Sequence, residues 1–308
     1  MADISRADVA TLIQEEYSSS LLTTAAAESA VLSVFENVPL GTKITNLPVL
    51  AGLPEASWVT ESVSTSAGTK PTSEAIWDNK KFVVEEVAVI IPIHEDVLED
   101  STENLLESLT KLGGAALGKK LDQAVLFGLN KPSTWTDLDL LAAATAAGNI
   151  FQIGATAGTS DLGGQILNAA GAVADSGGEP SALLSGSGLR YRLANLRDSQ
   201  GGAVFTPGLS NALGSDDVFG LKAGYAKNGS WNNTLATAMV VDAGRVKIGV
   251  RQDVTVKFLD QATVNGINLA EKDMVALRFK ARYAYALGNV LTANGTAAEP
   301  VAAITPAA

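Results

Sequence analysis

The sequence of 308 residues contains no cysteine and a single histidine, His94. Without cysteine, the chain forms no disulfide, no thiolate nucleophile and no cysteine-ligated zinc site. One histidine cannot form the paired-histidine motif of a zinc hydrolase. The apolar-rich stretch over residues 21–35 is too short and too polar to cross a bilayer, and the N-terminus lacks the basic start of a signal peptide. These absences favour a soluble protein made in a cytoplasm, without metal, cofactor or membrane anchor.

Positive charge is also scarce, because 22 lysines and arginines face 33 aspartates and glutamates, which gives a net charge of −11. Proteins that bind nucleic acid generally carry a basic stripe, and this sequence has none. An acidic chain is also repelled by anionic membrane surfaces. The hydrophobic share of 46% is sufficient for a folded core, and the length predicts about two domains.

Residues 40–93 have the pattern of a long two-stranded arm. A β-run lies on each side of a Gly/Ser/Thr/Pro-rich tip, with Trp58 and Trp77 flanking the tip and Lys70 within it. The returning strand is expected over residues 82–93. Because an isolated two-stranded arm is only marginally stable in water, we expect it to lie on another surface, such as a second chain.

Helical spacing of apolar residues recurs four times along the chain. The second of these segments would reach about 48 Å as one helix, which is long for a domain of this size and typical of a beam. The first has an apolar face without a partner nearby in the sequence. The predicted helices cover residues 1–36, 96–128, 161–174 and 188–198.

Two late segments, residues 246–258 and 275–287, alternate apolar and polar side chains over 13 residues each. Strict alternation predicts a strand with one buried and one solvated face. Residues 181–184 form a shorter apolar run that predicts another strand. The tail from Thr292 is rich in alanine and proline, and we expect it to be a surface strap.

Three short motifs resemble catalytic or nucleotide-binding signatures and fail on inspection. Residues 113–120 approach a phosphate-binding loop, but Lys120 replaces the hydroxyl residue that would bind magnesium, and the glycines lie within a helical stripe. Close helix packing explains them better. Residues 186–188 predict a strand-to-helix turn, because Tyr191 stands where a dinucleotide fingerprint needs its third glycine. Residues 94–96 predict a structural cap.

Charged residues on the predicted strands are candidates for pairing rather than for catalysis. Glu85 and Glu86 point to opposite faces of a strand, so they cannot act as one acid/base dyad. Arg278, Lys280 and Arg282 form a basic ladder on one strand face, and in an acidic chain they are expected to meet carboxylates within or between subunits. We therefore predict no catalytic residue, no metal site and no enzymatic activity.

The order of these elements resembles the major capsid proteins of tailed bacteriophages, which share the Hong Kong 97-like fold. The resemblance extends over nearly the whole chain and implies an α+β protein. The sequence is most similar to capsid proteins from siphophages of actinobacteria. The segments that carry it are residues 4–16, 42–49, 92–100 leading into 118–128, 181–184, 189–198, 218–222, 240–245 and 273–282.

The resemblance implies pentamers and hexamers that tile an icosahedral head around double-stranded DNA, without specific DNA binding. It implies a virion protein assembled in the host cytoplasm, a portal and, in some relatives, decoration proteins. Some relatives begin with a long scaffolding segment, and because only about 36 residues precede the arm here, we expect a separate scaffolding protein or none. Intersubunit contact is expected at Trp58, Lys70, Trp77, Glu85, Glu86, Arg278, Lys280 and Arg282. The implied units are an N-arm (1–38), an extended loop (39–93), a peripheral domain with a spine helix (94–160 and 271–292), an axial domain (161–270) and a C-terminal tail (293–308).

Three alternatives stay open at the level of sequence. An encapsulin-like nanocompartment shares the fold but stores protein instead of DNA. An enzyme of unknown type would need a convergent polar pocket, for which the sequence offers no triad, dyad or metal cluster. A tail-tube protein would not need the single long helix between the β-arm and the closing strands. Covalent crosslinking through Lys70, Lys80 or Lys81 is not expected, because no motif selects one of these lysines.

Overall fold

The computed structural model describes residues 29–52, 76–99, 105–154, 161–195, 217–292 and 296–307, which form an α+β protein with two main sheets. The helices of this part of the chain are α1 Ala30–Val34, α2 Glu95–Glu99, α3 Leu105–Phe127, α4 Leu140–Ala146, α5 Leu162–Asp175 and α6 Leu189–Ala194. The strands are β1 Glu36–Leu40, β2 Ile44–Gly52, β3 Ile76–Val83, β4 Glu85–His94, β5 Ile150–Gln152, β6 Ala182–Gly186, β7 Asp217–Val218, β8 Leu221–Ala226, β9 Ala238–Val241, β10 Val246–Leu259, β11 Thr263–Val264, β12 Ile267–Asn268, β13 Met274–Leu287, β14 Val290–Leu291, β15 Ala297–Ala298 and β16 Val301–Thr305.

The first sheet has four strands in the order β1-β10-β13-β4. Its two central strands, β10 and β13, are the long alternating segments predicted from sequence, and they pair antiparallel. Strand β4 pairs antiparallel with β13, while β1 pairs parallel with β10 at the opposite edge. A β-bulge between Arg251 and Thr255 interrupts the register of β10. The prediction of two long strands is confirmed.

The expectation of one solvated face holds for only part of this sheet. The alternating residues of β13, from Leu277 to Leu287, face the main core as predicted. On the opposite face, Ala284 and Ala286 are also buried, because Phe82 and Val84 pack over them. The base of the arm covers this half of the sheet, and alternation within one strand carries no information about such a cover.

The arm itself consists of β2 and β3, paired antiparallel from Ile44 opposite Val83 to Gly52 opposite Ile76. A two-stranded arm is therefore present, but its returning strand differs from the prediction. The expected strand over residues 82–93 is split at Val84, and β4 belongs to the four-stranded sheet instead. The apolar run continues across the break, which is why the sequence pattern merges two strands that pair with different partners.

The second sheet has six strands in the order β5-β16-β9-β6-β8-β7. The tail expected as a surface strap is wrong in its last part, because residues 301–304 of β16 are fully buried between β9 and β5. Helices α5 and α6 cover one face of this sheet and the main core covers the other, so its central strands read as continuous apolar runs. The sheets also cross the expected unit boundaries, since β10 joins β13 while β5 and β16 join the axial strands.

Helix α3 is the described part of the predicted beam and reaches about 35 Å at ~1.5 Å per residue. Helix α2 covers the first residues of the same predicted segment, and residues 100–104 between the two helices lie outside the described residues. Gly113 confirms the packing interpretation of the glycine motif, because a Cβ there would lie 2.8 Å from Cδ2 of Phe279 on β13. No helix in the described ranges is long and apolar enough to span a bilayer.

Candidate assembly interface

The base of the arm is held on the folded core by apolar and polar contacts. Phe82 is 1% exposed within the cluster that covers the outer face of β13. The indole Nε1 of Trp135 donates a 2.9 Å hydrogen bond to the carbonyl of Val83. Further along β3, the side chain of Trp77 is 66% exposed. The arm therefore leaves the core from a fixed base and presents a large aromatic surface beyond it.

Lys80 forms the second polar contact at this base. Its Nζ lies 2.9 Å from Oδ1 of Asp137, and both side chains are largely buried. The other carboxylate oxygen of Asp137 accepts a hydrogen bond from the backbone N–H of Leu287. Burial raises the pKa of the nearby Glu299. The amine of Lys80 is engaged within its own chain, which fits the expectation that it is not a crosslinking residue.

Part of the predicted charge ladder pairs inside the subunit. Glu86 on β4 lies 2.7 Å from Nζ of Lys280 and 3.5 Å from Nε of Arg282 on β13. The hydrogen bond from Lys280 lowers the pKa of Glu86, and the charge of Arg282 adds to the effect. Arg278 lies opposite Ile90 and Lys257 in the sheet register, away from Glu86. Charges of this kind can pair within one chain or between chains, and Glu86, Lys280 and Arg282 pair within the chain.

The two adjacent glutamates point to opposite faces of β4, as alternation requires. Glu86 is exposed on the outer face, while Glu85 is half-buried and accepts a 2.8 Å hydrogen bond from the hydroxyl of Thr134. A cleft of about 220 Å³ lies at this end of the sheet. It is lined by Lys43, Val84, Glu85, Glu86, Arg251 and Arg282. The cleft combines cations with carboxylates that already have partners, so it does not form an acid/base site.

Two of the residues expected at subunit contacts, Trp58 and Lys70, lie outside the described residues. The structure describes the other six residues, and their contacts with another subunit stay a prediction. These six are Trp77, Glu85, Glu86, Arg278, Lys280 and Arg282. Other apolar side chains are exposed on the same elements, including Ile90 on the edge strand β4 and Leu112 on α3, which are 41% and 63% exposed. Exposed apolar side chains on an arm, an edge strand and a beam helix are suited to contact between subunits.

Sequence reasoning missed one buried acid, which contacts the residues that begin α1. Asp122 of α3 has 0% exposure and accepts hydrogen bonds from Ser29, Asn228, Ser230 and the backbone of α1. Burial raises the pKa of Asp122, against the hydrogen bonds that lower it. An available signal was its position, since residues 118, 122 and 125 fall on one apolar face of the helix.

Comparison with known proteins identifies the class. The Phage capsid family matches residues 10–290, and the chain belongs to this family. A solved structure from Mycobacterium phage Bobi is 53% identical, with a TM-score of 0.82 and coverage of 100% of both chains. One from Mycobacterium phage Adephagia is 51% identical, with the same TM-score, and the match covers 100% of this chain and 99% of that chain.

Similarity of the fold extends to a solved structure with low sequence identity. The capsid of a native GTA particle, computed with C5 symmetry, is 14% identical, with a TM-score of 0.63 and coverage of 92% of this chain and 91% of that chain. No curated protein matches the chain. Together the matches identify a phage major capsid protein, a structural component of the virion capsid, and they do not favour the encapsulin-like alternative.

Proposed function

We propose that this capsid protein has the Hong Kong 97-like fold and assembles as pentamers and hexamers into an icosahedral head around double-stranded DNA. The observation that carries the proposal is the arm, whose base is fixed by Phe82 and Trp135 while Trp77 is exposed beyond it. An element that is stable only at its base needs a second surface along its length. In a closed shell, that surface belongs to a neighbouring subunit.

The proposed units follow the sheets. The four-stranded sheet and α3 form a peripheral domain with its spine helix, and the six-stranded sheet forms an axial domain. Residues before Ser29 act as an N-arm, and the segment of β2 and β3 acts as the extended loop. Contacts between subunits involve the residues expected from sequence. These are Trp58, Lys70, Trp77, Glu85, Glu86, Arg278, Lys280 and Arg282.

The proposed role is structural rather than enzymatic, with assembly in the cytoplasm of the bacterial host. A separate scaffolding protein guides assembly, a portal occupies one vertex, and decoration proteins are optional partners. The net charge of −11 supports a shell that contains DNA without binding it, because an inner wall that is not basic does not hold the polyanion during packaging.

Negative-stain microscopy of the purified recombinant protein tests the proposal, with the chain expressed alone and together with its neighbouring phage genes. Closed icosahedral shells or rings of subunits are the expected result. Nuclease treatment of particles from infected cells then separates protected DNA from protein cargo. A monodisperse monomer at high concentration, unchanged by co-expression of a scaffolding protein, would contradict the proposal.

A further inference from the structure

Asp122 lies in the middle of α3 and connects three parts of the chain. Its two carboxylate oxygens accept five hydrogen bonds, which are those from Ser29 Oγ at 2.5 Å, Ala30 N at 3.3 Å, Val31 N at 3.2 Å, Asn228 Nδ2 at 2.8 Å and Ser230 Oγ at 3.1 Å. Three of these donors belong to the first residues that the structure describes. The other two belong to the loop between β8 and β9. The site therefore has an N-terminal side and a loop side, which share one carboxylate.

The N-terminal side fixes the start of α1 through several hydrogen bonds. Ser29 is the N-cap of this helix, and its Oγ accepts a hydrogen bond from the backbone N–H of Leu32 while it donates to Asp122. The helix then packs on β8 at Gly224, where Val34 occupies the space that a Cβ would need. A five-residue helix is too short to be stable alone, so its direction depends on these tertiary contacts.

For the stability of the core alone, a carboxylate at this fully buried position is unfavourable. Burying a charged group is unfavourable unless hydrogen bonds replace its water, whereas an apolar residue on the same stripe has no such cost. What the carboxylate adds is direction, because only an acceptor with several lone pairs can hold two backbone N–H groups and a hydroxyl in one place. One side chain thereby holds Ser29, Ala30 and Val31 at the start of α1.

We propose that Asp122 is a positioning residue for assembly, which fixes the position and the direction of the chain at Ser29–Val31, immediately after residues 1–28. The proposal rests on the proposed function, in which this segment contacts neighbouring subunits. It assigns the N-terminal side of the site to assembly and the loop side to ordinary stabilisation of the fold.

A matched pair of variants separates the two sides. Ser29→Ala and Asn228→Ala each remove one hydrogen bond to the same carboxylate, and neither removes the buried charge. The first readout is cleavage of the unassembled subunit by glutamyl endopeptidase after Glu28, relative to cleavage after Glu15 and Glu16 in the same molecule. Loss of an N-cap shifts the opening of a helix end by about 1 kcal/mol. We therefore expect this ratio to rise about fivefold in Ser29→Ala and to stay unchanged in Asn228→Ala.

The second readout is the yield of closed shells under the conditions that assemble the wild type. We expect Ser29→Ala and Asp122→Asn to lower this yield at least fivefold, and Asn228→Ala to retain it. Equal loss of shells in Ser29→Ala and Asn228→Ala would overturn the proposal in favour of general stability, as would a raised cleavage ratio with normal shells. A wild type that forms no shell contradicts the proposed function instead, and the cleavage ratio then still tests whether the site holds the start of α1.

Discussion

Replacement of Gly113 by alanine separates the packing of α3 from its intrinsic helix propensity. Within a helix, glycine is about 1 kcal/mol less favourable than alanine, so propensity alone predicts that Gly113→Ala stabilises the protein. The structure predicts the opposite sign. The added Cβ would lie 2.8 Å from Cδ2 of Phe279, whose ring has 0% exposure and cannot move towards solvent. Overpacking of this kind costs about 1–3 kcal/mol, so we expect a net loss of about 1 kcal/mol.

Gly171 supplies the matched control, because it lies inside α5 and a Cβ there would meet nothing within 4 Å. Gly171→Ala should therefore stabilise the protein by about 0.5–1 kcal/mol. Urea unfolding of the unassembled subunit, followed by circular dichroism at low protein concentration, measures both changes without a contribution from assembly. The two variants should differ by about 2 kcal/mol although their chemistry is identical.

A double-mutant cycle with Phe279→Leu tests whether the ring causes the penalty. If it does, Gly113→Ala costs less in the Phe279→Leu background, and the coupling energy is about 1–3 kcal/mol. The reasoning is refuted if Gly113→Ala stabilises the protein as much as Gly171→Ala does. In that case α3 would not pack on β13 as closely as the structure describes.

Four further predictions follow from the described contacts. Phe82→Ala should lower the free energy of unfolding by about 3–5 kcal/mol and increase proteolysis of the arm, since its ring is the buried base of β3. Lys80→Met should raise the proteolysis rate of the arm in the same assay, whereas Lys81→Met, at an exposed position, should not. Glu86→Gln should change the free energy of unfolding at pH 7 by less than about 0.5 kcal/mol, because the Glu86–Lys280 ion pair is exposed. The stability from this pair is present above the unfolded pKa of Glu86 and is lost as pH falls through the lowered folded pKa. A larger difference between Glu86→Gln and the wild type in a pH series would contradict an exposed pair. Burial raises the pKa of Tyr283 to about 12, so the absorbance of its tyrosinate at 295 nm should not appear below pH 11 in the folded protein. The free energy of unfolding should fall as pH rises from about 10, the pKa of tyrosine in the unfolded chain, towards 12.

The elements that could be predicted from sequence are those whose pattern has one cause. Strands β10 and β13 alternate because one face meets the core, and both were predicted within one residue of their observed ends. Helix α5 was predicted within one residue for a similar reason, and Asp161 caps its start. In each case, a single buried face imposes a single period on the sequence.

The errors occur where a strand is buried on both faces, or where neighbouring strands in the sequence pair with different partners. Strand β16 is buried on both faces, so its apolar residues show no alternation, and a short run of this type close to a chain end resembles a loose tail. The last two residues of β3 and most of β4 form one run that is rich in apolar residues, although the two strands pair with different partners. Pairing partners are a property of tertiary structure, and one sequence provides no measure of them.

The ion pairs within the chain were predictable in their residue types and not in their partners. Acids and bases on facing strands indicate ion pairs, but the choice between a partner in the same chain and one in a neighbour depends on the register. Glu86 lies beside Lys280 and Arg282 only because β4 leaves the arm and joins β13. Asp122 was not predicted at all, because its partners at Ser29 and Asn228 lie about 90 and 106 positions away in the sequence.

The pairing of Glu86 within the chain changes the expected source of the assembly energy. Two members of the basic ladder, Lys280 and Arg282, are already paired with Glu86 and have less charge to offer a neighbour, and exposed ion pairs contribute about 0–1 kcal/mol each. Trp77 is different, because its side chain is 66% exposed. An aromatic side chain buries roughly 150–250 Å², so covering the exposed two-thirds at about 25 cal/mol per Å² would provide about 2.5–4 kcal/mol per subunit. We therefore expect apolar contacts of the arm to outweigh the charge ladder in the proposed assembly, which should weaken on cooling more than on addition of salt.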